Sequence, residues 1–210
     1  RKESEFYVKF GVNLINFGPG VDPQSLAQWI KESEALGYHL VMTSDHIAVT
    51  EDVQSRYPAP FYEPISTLGW MAGITQNIEI GTTVLIAPYR HILETAKSCA
   101  TIDQLSEGRL ICGFGVGWAS QEYAALGIPF KHRGAITDEY LEALRILWSQ
   151  EVATYQGKYV SFENIRTAPS PFRRFPPIWI GGASDAALRR TVKFGDAWHP
   201  IRIEMDWFKN

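Results

Sequence analysis

The 210-residue chain is poor in cysteine, with only Cys99 and Cys112. Both fall inside predicted elements, so no disulfide framework is expected and a reducing, cytoplasmic setting is. An excess of basic charge is also missing. Twenty Lys and Arg stand against 23 Asp and Glu, a net charge of −3, which argues against a general nucleic-acid binder. No apolar run approaches the ~20 residues that span a bilayer, and the N-terminal stretch lacks the apolar centre of a signal peptide. The five histidines (His39, His46, His91, His132 and His199) show no H-x-x-x-H spacing and have no cysteine pair beside them, so no metal site is expected. Repeats, low-complexity tracts and a Pro/Ser-rich linker are absent as well. What remains is 45% hydrophobic, 13% aromatic and 20% charged, the composition of an ordinary globular chain, and residues 1–210 read as one domain.

Periodicity divides that domain into short apolar runs alternating with amphipathic ones. Tyr7–Leu14 alternates as a strand does. Asp22-Pro23 supplies an N-cap and a first-turn proline for a helix carrying Leu26, Trp29, Ile30 and Leu36, with Gly37 where a left-handed terminal residue belongs. Strands follow at His39–Thr43, Asn77–Leu85, Arg109–Phe114 and Pro177–Ile180, and a sixth begins at Asp196–His199. Helices are expected near Pro64–Gly73, His91–Leu105, Thr137–Trp148 and Ser184–Phe194, with a small hairpin at Tyr155–Phe162. Strands alternating with helices form parallel β-α units. Two architectures remain open: a doubly wound sheet and a closed (β/α) barrel.

In both, function collects at the carboxyl edge of the strands. There the sequence places Asn13 or Asn16, then Ser44-Asp45-His46, Thr82-Thr83-Val84, Gly113–Trp118, Gly181–Ser184 and Trp198-His199-Pro200. Asp45-His46 is the sharpest pair: a histidine there can move a proton near neutral pH and a carboxylate can orient or charge its neighbours. The plainer reading is a loop histidine beside a capping aspartate. The glycines of 113–117 fail the dinucleotide spacing, because position 118 is Trp and the run follows the fourth strand; they read as a turn, a bulge or a close approach to a flat ligand. Gly181-Gly182-Ala183-Ser184 has the form of an anion site, glycines leading into a Ser-capped helix N-terminus, or of a plain strand–helix turn. Trp70 and Trp118 are placed to wall a pocket. Trp29, Trp148 and Phe194 read as core, and Arg173-Arg174 and Arg189-Arg190 as solvated surface.

Asp103-Gln104-Leu105-Ser106-Glu107-Gly108-Arg109-Leu110 followed by Gly113–Trp118 closely resembles the signature of the bacterial luciferase-like monooxygenase superfamily. Phe130–Gly134, Leu144–Trp148, Pro176–Gly182 and Gly195–Pro200 look like its F420-dependent oxidoreductase branch. The resemblance runs from about Val8 to Pro200, with the motifs in one order.

It implies a (β/α)8 barrel that binds coenzyme F420, with FMN as the alternative, and that passes a hydride between the deazaflavin and a substrate. Asp45 and His46 match the catalytic pair facing the ring, and Thr83-Val84 the bulge behind it, often a non-proline cis peptide. Gly115, Gly117, Trp118 and Gln121 match the segment around the cofactor; Gly181, Gly182, Ala183 and Ser184 match the turn that takes its phosphate. Asn13, Trp70, Trp118 and His199 complete a substrate pocket. Trp118 stands where the sugar-phosphate dehydrogenases of the superfamily carry a proton-donating carboxylate, which points to an apolar substrate and to His46 as the donor. The expected assembly is a homodimer; an FMN-dependent monooxygenase and a non-catalytic flavin carrier are the rival readings. A barrel of this type takes about 250 residues, and only six strands are counted. Strands seven and eight are therefore expected to be missing, with residues 201–210 forming the loop and first turn of another helix.

Overall fold

The structure is a computed structural model, and it describes residues 8–172 and 175–201. The expectations for Arg173-Arg174 and for the turn within 202–210 lie outside the described residues. Strands β1 (Gly11–Leu14), β2 (Leu40–Thr43), β3 (Glu79–Thr82), β4 (Leu85–Ile86), β5 (Leu110–Gly115), β8 (Ile178–Gly181) and β9 (Ala197–His199) form one sheet. Every pairing in it is parallel, in the order β1-β2-β3-β5-β8-β9, with β4 beside β5. Neighbours in sequence are neighbours in space, which selects the barrel topology over the doubly wound one. β1 and β9 are not paired with each other, so the sheet curls as an incompletely closed barrel. β6 (Ala153–Gln156) and β7 (Ser161–Ile165) form a separate antiparallel hairpin.

Helices α1 (Pro23–Ala35), α3 (Pro64–Ile74), α4 (Ile92–Leu105), α6 (Arg133–Ser149) and α7 (Asp185–Phe194) cover the outside. Their apolar stripes meet alternate strand residues (Val41, Ile80, Leu110, Cys112, Phe114, Ile178 and Ile180) in one large core. The opposite parity gives a small inner cluster, Leu40, Met42 and Ile111 with Trp179 against it. This inner face borders an open trough of about 520 Å³. None of the described helices is long and apolar enough to cross a membrane.

Several boundaries differ from the sequence reading. α1 starts as expected: Asp22 accepts from the Ser25 amide at 2.7 Å, the Ser25 hydroxyl accepts from the Asp22 amide, and Gly37 takes φ of 79°. The single strand expected over Asn77–Leu85 is instead two, interrupted at the cis peptide Thr83–Val84. The connection after β5 contains a short helix, α5 (Ser120–Ala125), and the loop after β2 holds another, α2 (Glu51–Gln54). Trp29 is 47% exposed rather than core, since its helix turns that face outward. Arg190 is not solvated: it is 6% exposed and pairs with Asp138 at 2.6 Å between α7 and α6.

Candidate active site

Segments at the carboxyl ends of β1, β2, β3, β5, β8 and β9 surround a cavity of about 290 Å³. His46, Thr83, Val84, Gly115, Gly117, Trp118, Gly181, Gly182, Asn13 and His199 all border it. One wall is aromatic and comes from three loops: Phe17, Tyr57 and Trp118. The rings interlock. Phe17 stacks on Phe61 with centroids 5.2 Å apart, Tyr57 meets Phe17 edge-on, and the Arg56 guanidinium lies 4.6 Å over Trp118. A backbone bond from Gly18 N–H to the Pro60 carbonyl, 2.8 Å, ties the two loops behind this wall.

His46 sits inside this group, 7% exposed, with the rings of Tyr57, Phe61 and Trp118 centred 5.3, 5.3 and 5.8 Å away. Its Nδ1 lies 2.6 Å from Oε2 of Glu122. Glu122, on α5, is fully buried and also accepts from Tyr89 OH at 2.9 Å and from the amides of Ile47 and Ala48 at 2.6 and 2.9 Å. Burial acts to raise the pKa of Glu122, but the His46 bond and the two amides outweigh it and hold the carboxyl below its ordinary value. Burial and the adjoining Glu122 carboxylate push the Tyr89 phenol up, so it stays a neutral donor.

Asp45 also borders the cavity, but of its two expected roles, orienting the cofactor or the histidine, the second is not seen: its carboxylate makes no bond to His46. Successive residues at the end of a strand diverge. The Asp45 carboxylate instead receives a two-pronged bond from Arg90, 2.8 and 2.9 Å, and the Ile86 amide at 2.8 Å. Arg90 also reaches Glu63 at 2.7 Å. Burial works against charge on the guanidinium, yet Asp45 and Glu63 together raise its pKa further above the ordinary arginine value. Burial pushes the Asp45 carboxyl up, while Arg90 and the Ile86 amide pull against it.

The floor of the cavity is organised around Val84. A Cβ on Gly115 would come within 2.5 Å of a Val84 methyl, and one on Gly181 within 2.9 Å. Those glycines are small because the bulge residue fills the space beside them. Gly182, at φ of 119°, turns the chain into α7, whose N-terminus Ser184 caps through the Ala187 amide. Thr83 Oγ1 and His199 Nε2 meet at 2.6 Å, and burial lowers the His199 pKa.

Some expected residues lie elsewhere. Trp70 is 36% exposed on α3 and does not border the cavity. Gln121 bonds reciprocally with Asp52, joining α5 to α2. Ser184 is the N-cap of α7 and Ala183 precedes it, both just beyond the residues that line the cavity. Asn16, the alternative to Asn13, is buried and bonds Ser44 and Tyr62 backbone groups. The sequence reading missed Glu122, Tyr89, Arg90, Phe17 and Tyr57. The glutamate lies 76 residues from its histidine, and only its place four residues beyond Trp118, just after a strand end, could have marked it. Among the described residues, no group of three or more His, Cys, Asp or Glu could hold a metal ion.

Comparison with known proteins places this geometry. An uncharacterized protein of Mycobacterium tuberculosis is 28% identical, the match covering 94% of this chain and 73% of its own length. The FMNH2-dependent dimethylsulfone monooxygenase of Pseudomonas fluorescens is 29% identical over 80% of this chain and 44% of its own. The structure of an F420-dependent secondary alcohol dehydrogenase superimposes with a TM-score of 0.84 at 19% identity, over 98% of this chain and 61% of that one. The chain therefore spans 44–73% of the length of these three proteins. The family model described as luciferase-like monooxygenase matches residues 8–206. With a parallel sheet of this order and a cavity at its carboxyl edge, the chain belongs to the luciferase-like monooxygenase family.

Proposed function

We propose that the cavity holds coenzyme F420 and that the protein serves hydride transfer between this deazaflavin and an apolar organic substrate, with His46 moving the accompanying proton. The observation that carries the reading is the joining, in one strand-edge cavity, of an apolar floor at Val84, a glycine turn before α7 and an imidazole among the lining side chains. These residues fit the group. A flat ring needs a surface without projecting side chains, which Val84 with Gly115 and Gly181 provides; a phosphate would take first-turn amides of α7 other than that of Ala187, which Ser184 holds. When bound, the deazaflavin supplies the hydride chemistry. Val84 supports the ring position, the Asp45–Arg90 pair fixes the loop under the β4 end, and Phe17, Tyr57 and Trp118 present an apolar surface to the substrate. That surface suits an apolar molecule because polar groups set against ring carbon would lose their hydrogen bonds.

The solved F420-dependent alcohol dehydrogenase, which aligns over nearly the whole chain, supports this choice of coenzyme. The dimethylsulfone monooxygenase, FMNH2-dependent by name, favours FMN as the second reading. Releasing the bound chromophore from the protein by heat and weighing it decides between them. A deazaflavin bearing a glutamate tail is the expected result; FMN overturns the reading.

A further inference from the structure

We propose that Glu122 is a positioning residue that keeps a proton on Nδ1 of His46, so that Nε2 is the nitrogen that exchanges a proton with the substrate. The inference rests on the cavity being a hydride-transfer site, but the tautomer itself does not. Both oxygens of Glu122 are committed: Oε1 to the Ile47 and Ala48 amides, Oε2 to Tyr89 OH and His46 Nδ1. The amides can only donate, and a neutral phenol bound to a carboxylate donates too. The remaining partner, Nδ1, completes the set as a fourth donor. Its 2.6 Å separation is that of a short charge-assisted bond. Which ring nitrogen carries the proton is set by the bond that the other makes.

The surroundings also hold the ring in place. Tyr57, Phe61 and Trp118 pack about the imidazole, and a flip would turn a C–H toward the buried carboxylate. During substrate reduction one proton leaves Nε2 of the doubly protonated ring for the substrate oxygen that gains charge, leaving the neutral Nδ1–H form. The hydride comes from the reduced deazaflavin of the proposed function, which is oxidised in the exchange. In the reverse direction Nε2 takes the proton back. Without Glu122, a neutral ring would be free to carry its proton on either nitrogen.

Glu122→Gln discriminates this from a purely structural anchor. The amide oxygen still accepts from Ile47 and Ala48, but its NH2 now faces Nδ1 and drives the proton to Nε2. Long-range 1H–15N NMR of the His46 ring, on the protein as purified and again with coenzyme added, reads the tautomer directly. The expected result is Nδ1–H in the neutral wild-type ring and Nε2–H in Glu122→Gln, with Tyr89→Phe remaining Nδ1–H. In steady state, Glu122→Gln is expected to lower kcat by about 10–100-fold with KM within about 2-fold. An Nε2–H wild-type ring overturns the proposal, as does an unchanged tautomer in a folded Glu122→Gln. If that variant fails to fold, the wild-type spectrum still decides. If the chromophore proves to be FMN, the functional reading fails while the tautomer result stands.

Discussion

Two adjacent residues at the end of β2 point into different networks, and their substitutions should separate accordingly. His46→Ala is expected to retain bound chromophore while turnover falls by roughly 10²–10⁴-fold, the usual worth of a positioned acid–base group; single-turnover kinetics on the loaded protein checks this. Arg90→Met acts on stability instead. It leaves Asp45, whose side chain has no exposed surface, without its ionic partner, and removing one member of a buried pair costs about 3–5 kcal/mol. Urea denaturation is expected to show that loss, and a loss below 1 kcal/mol would mean that Asp45 takes up a proton or meets water once Arg90 is gone. The histidine was legible in the sequence because a polar residue directly after an apolar run marks a strand end. Its partner was not, since Glu122 comes from a helix hidden within a glycine-punctuated connection. Adjacency in the chain drew attention to Asp45, whereas the alternation of side chains along a strand separates it from His46.

Between elements, carboxylates do work that periodicity does not display. Glu34, near the end of α1, accepts the amides of Gln76, Asn77 and Ile78 at 2.9, 2.6 and 3.0 Å, fixing the lead into β3. Glu139 on α6 does the same for Lys158, Tyr159 and Val160 at the turn between β6 and β7. Partial burial acts to raise the Glu34 pKa, but the three amides prevail and lower it from 4.5. A lowered folded pKa means that the stabilisation is complete above the unfolded value and disappears as pH falls through the folded one. Glu34→Gln should thus destabilise by about 1–2 kcal/mol at pH 7, a figure that allows for solvent screening. The gap between wild type and variant should close as the pH is lowered below 4.5. Denaturation midpoints at several pH values measure it, and a gap independent of pH would refute the assignment. Helices and strands themselves were largely legible, because each buries one face. The break at Thr83–Val84 was not readable from alternation, which runs through it unchanged; the resemblance alone pointed there.

Among the described residues the sheet has a protected middle and two margins paired on one side only. All six residues of β5 are buried, whereas the β1 sequence Gly11–Leu14 is buried only at Leu14. Amide exchange is expected to be slowest in β3 and β5 and markedly faster in β1 and β9, since local opening is easiest where backbone groups have a partner on one side only. Exchange mass spectrometry tests this, and equal protection across the sheet would show the margins to be covered in solution. The parallel order was legible at this scale from six strand patterns separated by helices. The inward tilt that brings six loops around one cavity was not, because curvature arises from pairing between strands and not from any one of them.

Val84 carries a consequence beyond the floor of the cavity. Its methyls occupy the places where Gly115 and Gly181 would otherwise bear side chains. One volume is thus shared among three positions, one on β5, one on β8 and one in the break between β3 and β4. Across relatives these positions should change as a set, a larger residue at one matched by a smaller one at another. In this chain, enlarging a glycine and trimming Val84 together should do less harm than the sum of the two changes.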